Sequence, residues 1–195
     1  MPPSSIDVTK AEIRREALAR RDALAAGARS AAAHAVASRP FPIRVAPGTI
    51  VAGFSPMRSE INPCPLLRQL VGLGACLVLP VVVGRGHALF FRAWTFGEPL
   101  GSGVWGTREP LPDSPEVEPD ILIVPLSAFD RTGHRIGYGA GYYDLTLARL
   151  RAAKTIIAVG LAFSAQEIAA VPSTPRDERL DLVLTEHEVI DCRGA

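Results

Sequence analysis

Residues 121–151, ILIVPLSAFDRTGHRIGYGAGYYDLTLARLR, constrain this chain more than any other stretch. Ile121 to Pro125 reads as a short buried parallel strand, because its apolar run is unbroken rather than alternating. A loop with glycines at 133, 137, 139 and 141 follows. Leu145 to Arg151 then reads as a helix with Leu145, Leu147 and Ala148 toward its apolar face. Strand, glycine-rich loop and helix is the layout in which bare backbone N–H groups and a helix N-terminus bind an anion together. Arg135 lies inside the loop and supplies a planar, permanent cation suited to bidentate phosphate contact. Asp144 falls in the first helical turn, where a carboxylate can hold a Mg²⁺ that bridges phosphates. In outline this is a nucleotide-triphosphate site. The ordinary alternative is a tight turn in which Asp144 only complements the helix N-terminus.

The spacing narrows the class. No Gly-Lys-Ser/Thr follows the glycines, so the loop is not a Walker A. The glycines run G-x-G-x-G rather than G-x-G-x-x-G, so a dinucleotide fingerprint does not apply either. With 21 basic and 20 acidic residues the net charge is +1, and no global field favours nucleic acid or a membrane surface. Cys64, Cys76 and Cys192 are odd in number and widely spaced, which fits a reducing cytoplasm and neither a disulfide framework nor a zinc site. No apolar run reaches about 18 residues and the first ten residues lack an apolar core, so export and membrane insertion are not expected. The length of 195 residues fits one domain over residues 1–195.

Taken in order, residues 1–8 read as a loose tail, and Lys10 to Ala25 as a helix rich in strong helix formers. Lys10, Arg14 and Arg21 share one face of that helix within about 40° of arc, beside an apolar stripe of Ile13, Ala17 and Leu24. On charge pattern alone this face is either a solvated surface or an anion site. A second helix over 28–38 ends at Pro40 and Pro42. Thr49 to Phe54 reads as a central strand, and Glu60 follows in the loop beyond its carboxyl end, where ligands bind in open α/β sheets. A lone loop glutamate is more often a surface group. A short helix is expected over 65–73 and strands over 75–83, 88–96, 155–163 and 181–185, with a helical turn over 166–170. Residues 97–119 form a linker rich in Gly and Pro. Apolar strands alternating with helices argue for a three-layer α/β domain with a largely parallel sheet.

The string PLSAFD followed by GHRIGYGAGYYD closely resembles the signature of the 5-formyltetrahydrofolate cyclo-ligase (5,10-methenyltetrahydrofolate synthetase) family. Four further blocks resemble that family in order: TKAEIRRE around Lys10 and Arg14, EINP at Glu60, VWGTREP around Trp105, and VPSTPRDERLDLVLT near the end. Leu126-Ser127 and Ala140 depart from its usual residues. The resemblance implies a three-layer α/β/α domain with a largely parallel central sheet, of Rossmann-like and CoA-transferase-like kind. It also implies ATP-dependent cyclisation of 5-formyltetrahydrofolate to 5,10-methenyltetrahydrofolate, with ATP and Mg²⁺ as cofactors.

On that basis Lys10, Arg14 and Arg135 are the expected catalytic cations. They would hold the nucleotide with Gly133, Gly137, Tyr138, Gly139, Ala140, Gly141 and Tyr142. The folate would meet Phe54, Ser55, Glu60, Trp105 and Tyr142, with Glu60 on the aminopterin edge. Asp144 and Asp177 would hold the metal. A monomer acting on a small molecule, without nucleic acid or membrane partners, completes the expectation. Two rivals stay open: a non-catalytic folate- or nucleotide-binding relative, suggested by the departures, and a nucleic-acid binder using the basic first helix. The neutral balance argues against the second.

Overall fold

The computed structural model describes residues 5–194, apart from the side chains of Ser5 and Trp105. In chain order the elements are α1 (Ser5–Asp22), α2 (Ala26–Ser38), β1 (Ile50–Ala52), α3 (Cys64–Gly72), β2 (Cys76–Val81), β3 (Phe90–Ala93), β4 (Leu100–Ser102) and β5 (Arg108–Pro110). There follow β6 (Ile121–Pro125), β7 (Ala128–Phe129), β8 (Arg135–Ile136), α4 (Tyr142–Ala153), β9 (Ile157–Leu161), β10 (Leu182–Leu184) and β11 (Val189–Asp191). Helix α1 begins at Ser5, so residues 5–8 are helical and not tail; residues 1–4 of the expected tail lie outside the described residues.

The main sheet has the order β11-β10-β9-β6-β1-β2-β3. Its five inner strands are parallel, and β3 and β11 close the edges antiparallel. Burial on both faces explains the unbroken apolar run of β6. Ile121 and Ile123 join the core on one side of the sheet, with Ala32, Val36, Leu66 and Leu70 of α2 and α3. Leu122 and Val124 point the other way, into the core completed by Leu147 and Leu150 of α4. The three-layer α/β arrangement is therefore present. Pro80 sits inside β2 past the last residue that pairs with β1, where a missing N–H removes no ladder bond.

Residues 97–119 are not a plain linker, because β4 and β5 pair antiparallel within them, and two further expectations change. The inward face of α4 is Thr146, Leu147 and Leu150, all fully buried, whereas Leu145 is exposed. Thr146 takes an inward position because its hydroxyl is satisfied on both sides: it donates to the Tyr142 carbonyl at 2.6 Å and accepts from the Leu89 N–H at 2.9 Å. The second change concerns the glycine loop, which is not irregular throughout. Strands β7 and β8 pair antiparallel, and Asp130 knots the turn between them. Its Oδ1 accepts from Thr132 N, Thr132 Oγ1 and His134 N, and its Oδ2 from Val171 N at 2.8 Å. Burial raises the Asp130 carboxyl, but these donors outweigh it and leave the pKa below the usual value.

The direction of sequence reverses between the neighbours β1 and β6: β2 lies beyond one, β9 and β10 beyond the other. A crevice at the carboxyl ends of the strands on either side of that switch point is where this class of sheet binds ligands.

Candidate active site

Helix α1 lies across that crevice. Ile13 and Ala17 pack on Ala128, Ile136 and Val171 as their spacing suggested, whereas α1 ends at Asp22 and Leu24, beyond it, packs against the α2–α3 side of the core. Docking fixes which way the basic face points. Lys10 Nζ donates to both oxygens of Asp177, at 2.8 and 2.7 Å. Arg14 Nε donates to the Gly137 carbonyl at 2.5 Å, and its fork lies flat against Gly139. A Cβ at Gly139 would stand 3.3 Å from Arg14 Nη2, and Gly139 has φ +94°, so close approach and backbone together call for glycine there. Burial lowers the Arg14 pKa, yet no carboxylate pairs with it among the described residues.

The loop beneath is a nest of donors. Among the described residues, no protein acceptor takes the backbone N–H of any residue from 137 to 141. Gly141 then turns through the left-handed region (φ +71°, ψ +9°) and α4 starts at Tyr142. Gly137, Tyr138, Gly139, Ala140 and Gly141 thus present free N–H groups beside a helix N-terminus, under the cations of α1.

Gly133 does not belong to this nest. It is buried on the far side of the β7–β8 turn, and a Cβ there would come within 2.5 Å of the Leu180 carbonyl. Its N–H donates to Asp130 O and its carbonyl accepts from Leu180 N, so it holds the turn against the strand region before β10. Arg135 also differs from expectation. Its side chain is 4% exposed and turned beneath the loop, where it donates to Asp144 Oδ1 at 2.8 Å and to the Glu178 carbonyl. Burial lowers its pKa, against the raising effect of Asp144. A guanidinium so committed supports the loop from below.

Asp144 and Asp177 converge on one turn: Asp144 Oδ1 also accepts from Glu178 N at 3.2 Å, and Asp177 immediately precedes that residue. Asp177 accepts from Lys10 and from Thr174 N and Oγ1. Burial pushes its carboxyl up, but Lys10 and Thr174 prevail and its pKa lies below the usual value. Among the described residues no group of three or more His, Cys, Asp or Glu side chains forms a metal cage.

The candidate second half of the site is a narrow, closed slot among Arg21, Phe54, Glu60, Leu126, Leu161 and Gln166, at the ends of β1, β6 and β9. Glu60 Oε2 accepts from Met57 N at 2.7 Å; Oε1 is buried and has no hydrogen-bond partner. Burial raises the Glu60 pKa above the ordinary 4.5, opposed by the Met57 N–H, the Tyr138 hydroxyl and the Arg21 charge. A buried carboxylate oxygen without a donor is costly unless a ligand supplies one.

Phe54 lines the slot, whereas Ser55 lies beside it, outside the lining. Tyr142 turns into the α4-side core instead, with its hydroxyl buried and unpartnered. The turn Val104–Gly106 carries Trp105, whose side chain lies outside the described residues. Two residues near Glu60 went unassigned from sequence. The Tyr143 phenol is pushed up by burial and then by the Glu60 charge. Arg21, only 1% exposed, donates to Ser59 Oγ at 2.9 Å and to Tyr138 Oη at 3.0 Å. Its place on the Lys10–Arg14 face was the available signal.

Comparison with known proteins gives the family and the fold. The family described as 5-formyltetrahydrofolate cyclo-ligase matches residues 6–186. The chain is 34% identical to a 5-formyltetrahydrofolate cyclo-ligase of Mycolicibacterium smegmatis over 145 residues, covering 71% of this chain and 74% of that protein. It is 35% identical to that of Escherichia coli K12 over 145 residues, with 71% and 79% covered. The solution structure of Aquifex aeolicus 5,10-methenyltetrahydrofolate synthetase superposes with a TM-score of 0.76 at 29% identity, covering 94% of this chain and 93% of that one. A Mycoplasma pneumoniae 5,10-methenyltetrahydrofolate synthetase, 21% identical, shares the fold with a TM-score of 0.69 over 91% of this chain and 98% of the other.

Proposed function

The chain belongs to the 5-formyltetrahydrofolate cyclo-ligase family, and from that premise we propose how its residues carry out the family's reaction. It is an ATP-dependent ligase that cyclises 5-formyltetrahydrofolate to 5,10-methenyltetrahydrofolate and releases ADP and phosphate. The observation that carries the assignment of residues is the meeting of two half-sites under one helix. One is the donor nest of residues 137–141 beneath Lys10 and Arg14; the other is the slot with the unpartnered Glu60 Oε1.

The formyl group on N5 is an amide-like carbonyl, and its oxygen leaves poorly. Attack of that oxygen on the γ-phosphorus of ATP expels ADP and leaves an O-phosphorylated, electrophilic formyl carbon. The N10 amine then adds to this carbon and loses its proton. Phosphate departs with the C–O bond, and the N5–C–N10 cation of the methenyl product remains. No protein side chain need act as a covalent nucleophile, so the protein positions reactants and neutralises phosphate charge. Lys10, Arg14 and the amides of residues 137–141 hold the phosphates, with Arg135 fixing the loop from below. Glu60 Oε1 accepts from the N–H groups of the aminopterin edge, while Phe54 packs on the ring.

Asp144 and Asp177 fit Mg²⁺, which takes one or two carboxylates and completes its shell with phosphate oxygens and water. Such an ion supplies neutralisation of the phosphate charge. Asp177 would be open to such an ion only with Lys10 turned from it toward the nucleotide, since Lys10 now holds both of its oxygens.

The enzyme is further assigned to the cytoplasm as a monomer acting on a small molecule, without nucleic acid or membrane partners. The net charge of +1 and three free thiols support this. Mixing 5-formyltetrahydrofolate, Mg-ATP and protein while recording the methenyl absorbance band tests the activity. Growth of the band in step with ADP is expected; folate binding without ATP-dependent product would overturn it.

A further inference from the structure

The two half-sites are joined by a single buried side chain. Arg21 Nε donates to Ser59 Oγ, next to Glu60, and Arg21 Nη1 donates to Tyr138 Oη, in the middle of the phosphate loop. The guanidinium carbon also stands 5.9 Å from the Tyr138 ring centroid. Ser59 is itself fixed from the other side, donating to Asp22 Oδ1. The run Tyr138–Arg21–Ser59–Glu60 therefore leads from the nest to the pterin carboxylate through groups that are mostly withdrawn from solvent.

We propose that Arg21 is a positioning residue that couples the subsites, so that nucleotide phosphates on the 137–141 loop tighten 5-formyltetrahydrofolate at Glu60, and the reverse. The inference rests on the functional reading above and adds the communication between its halves.

The physical basis is asymmetric confinement. Tyr138 is flanked by Gly137 and Gly139, so the loop has little intrinsic stiffness, and the residue is 37% exposed. Its hydroxyl is the part of the loop that reaches inward, and there it meets Arg21 while lying close to Glu60. Burial, followed by the Glu60 charge, pushes the Tyr138 phenol up to about 12, so it remains a neutral donor and acceptor at neutral pH.

A phosphate that fixes the nest fixes Tyr138, and Arg21 with it, before folate arrives. A folate that engages Glu60 fixes the same chain from the other end. Whichever ligand binds second meets groups already ordered, which is positive coupling without a large structural change. Arg21 also lines the slot wall, and its guanidinium touches both loops at once. A lysine offers a single ammonium and cannot bridge Ser59 and Tyr138 in the same geometry.

Calorimetric titration of 5-formyltetrahydrofolate, with and without the β,γ-imido analogue of ATP and Mg²⁺, measures the coupling as a ratio of two Kd values. The wild-type ratio should be about fivefold or more, the usual lower range for linked sites, and equal when the order of titration is reversed. Tyr138→Phe removes only the hydroxyl of an exposed loop residue and keeps the fold. It should bring the ratio near one with the Kd for the nucleotide analogue alone little changed. Arg21→Lys should behave likewise.

A wild-type ratio near one, or a folded Tyr138→Phe protein that retains the wild-type ratio, overturns the inference. Either result leaves the functional reading intact if the wild type still forms the methenyl band; absence of that band strikes the reading itself.

Discussion

Lys10 Nζ lies within 2.8 Å of both carboxylate oxygens of Asp177, tying the first helix to a turn 167 residues further along the chain. The pair joins a cation that suits phosphate to a carboxylate that suits a divalent ion. Both side chains are largely shielded, at 15% and 20% exposure, so each compensates the other's charge and neither is left buried and unpaired.

Lys10→Ala should raise the KM for ATP by about 10- to 100-fold, corresponding to about 1.5–3 kcal/mol for a charge-assisted contact. The KM for folate should change by less than about threefold, within the error of such contact arithmetic. Arg20→Ala is the control, because Arg20 donates to the Ala165 carbonyl at the surface, away from the loop. Steady-state kinetics with each substrate varied decides the matter. Equal effects from Lys10→Ala and Arg20→Ala would mark the basic face as mere surface charge.

Asp144→Asn separates a metal ligand from a helix-terminal dipole partner, with a complication set by Arg135. For a residue that only complements the dipole, asparagine would leave melting unchanged. Here Arg135 is 4% exposed and loses its counter-charge, although the amide oxygen still accepts its bond. A loss of about 1–3 kcal/mol, the range for an under-satisfied buried group, is expected as a lower Tm. Turnover should fall and more Mg²⁺ should be required. A lower Tm with an unaltered Mg²⁺ titration would leave Asp144 as the counter-ion of Arg135 alone.

Glu60 should impose an acid limb on the folate kcat/KM. Only the ionised carboxylate accepts two N–H donors, and burial sets its pKa above 4.5 in the free protein. Binding weakens as pH falls through that raised value, so kcat/KM declines while kcat, measured with folate bound, stays flatter. Glu60→Gln should lower kcat/KM for folate strongly and abolish the limb. A limb that persists unshifted in Glu60→Gln belongs to another group.

Two glycines in the central stretch should respond in opposite ways. Gly133→Ala forces a Cβ to 2.5 Å from the Leu180 carbonyl at φ +89°, and should lower stability by about 1–3 kcal/mol or more. Gly137 has open space around the position of a Cβ and no positive φ, so Gly137→Ala should keep the wild-type Tm. Its effect should appear in the KM for ATP. Thermal melts beside ATP kinetics test the contrast, and a nucleotide-specific defect in a fully stable Gly133→Ala protein would contradict it.

Much of the site could be read along the chain because its parts are local. The free amides of residues 137–141, the helix start at Tyr142 and the carboxylate at Asp144 follow from the glycine spacing and first-turn position. The shared face of Lys10 and Arg14 follows from helical period. The alternation of Ile121 and Ile123 against Leu122 and Val124 was not visible in composition, since a strand covered on both faces is apolar throughout. It nonetheless identified a central strand and, with its neighbours, the three-layer class.

The sequence by itself therefore determined the helices, the inner parallel strands, the glycine loop and the cations on one face of α1, but not the β4–β5 and β7–β8 pairs or the edge strand β11. The tertiary structure decided what each charge does. Arg135 stands within the same loop as the free amides, but the β7–β8 pairing turns it inward onto Asp144. Gly133 shares the glycine run, but the carbonyl of Leu180 makes it a packing residue. Arg21 lies eleven residues from Lys10 on the same face, and only docking of α1 over the sheet brings it against Ser59 and Tyr138. Periodicity specifies direction around one helix or strand; burial and partner are properties of what that face meets, and those groups come from other elements of the chain, 38 residues away for Arg21 and Ser59 and 117 for Arg21 and Tyr138.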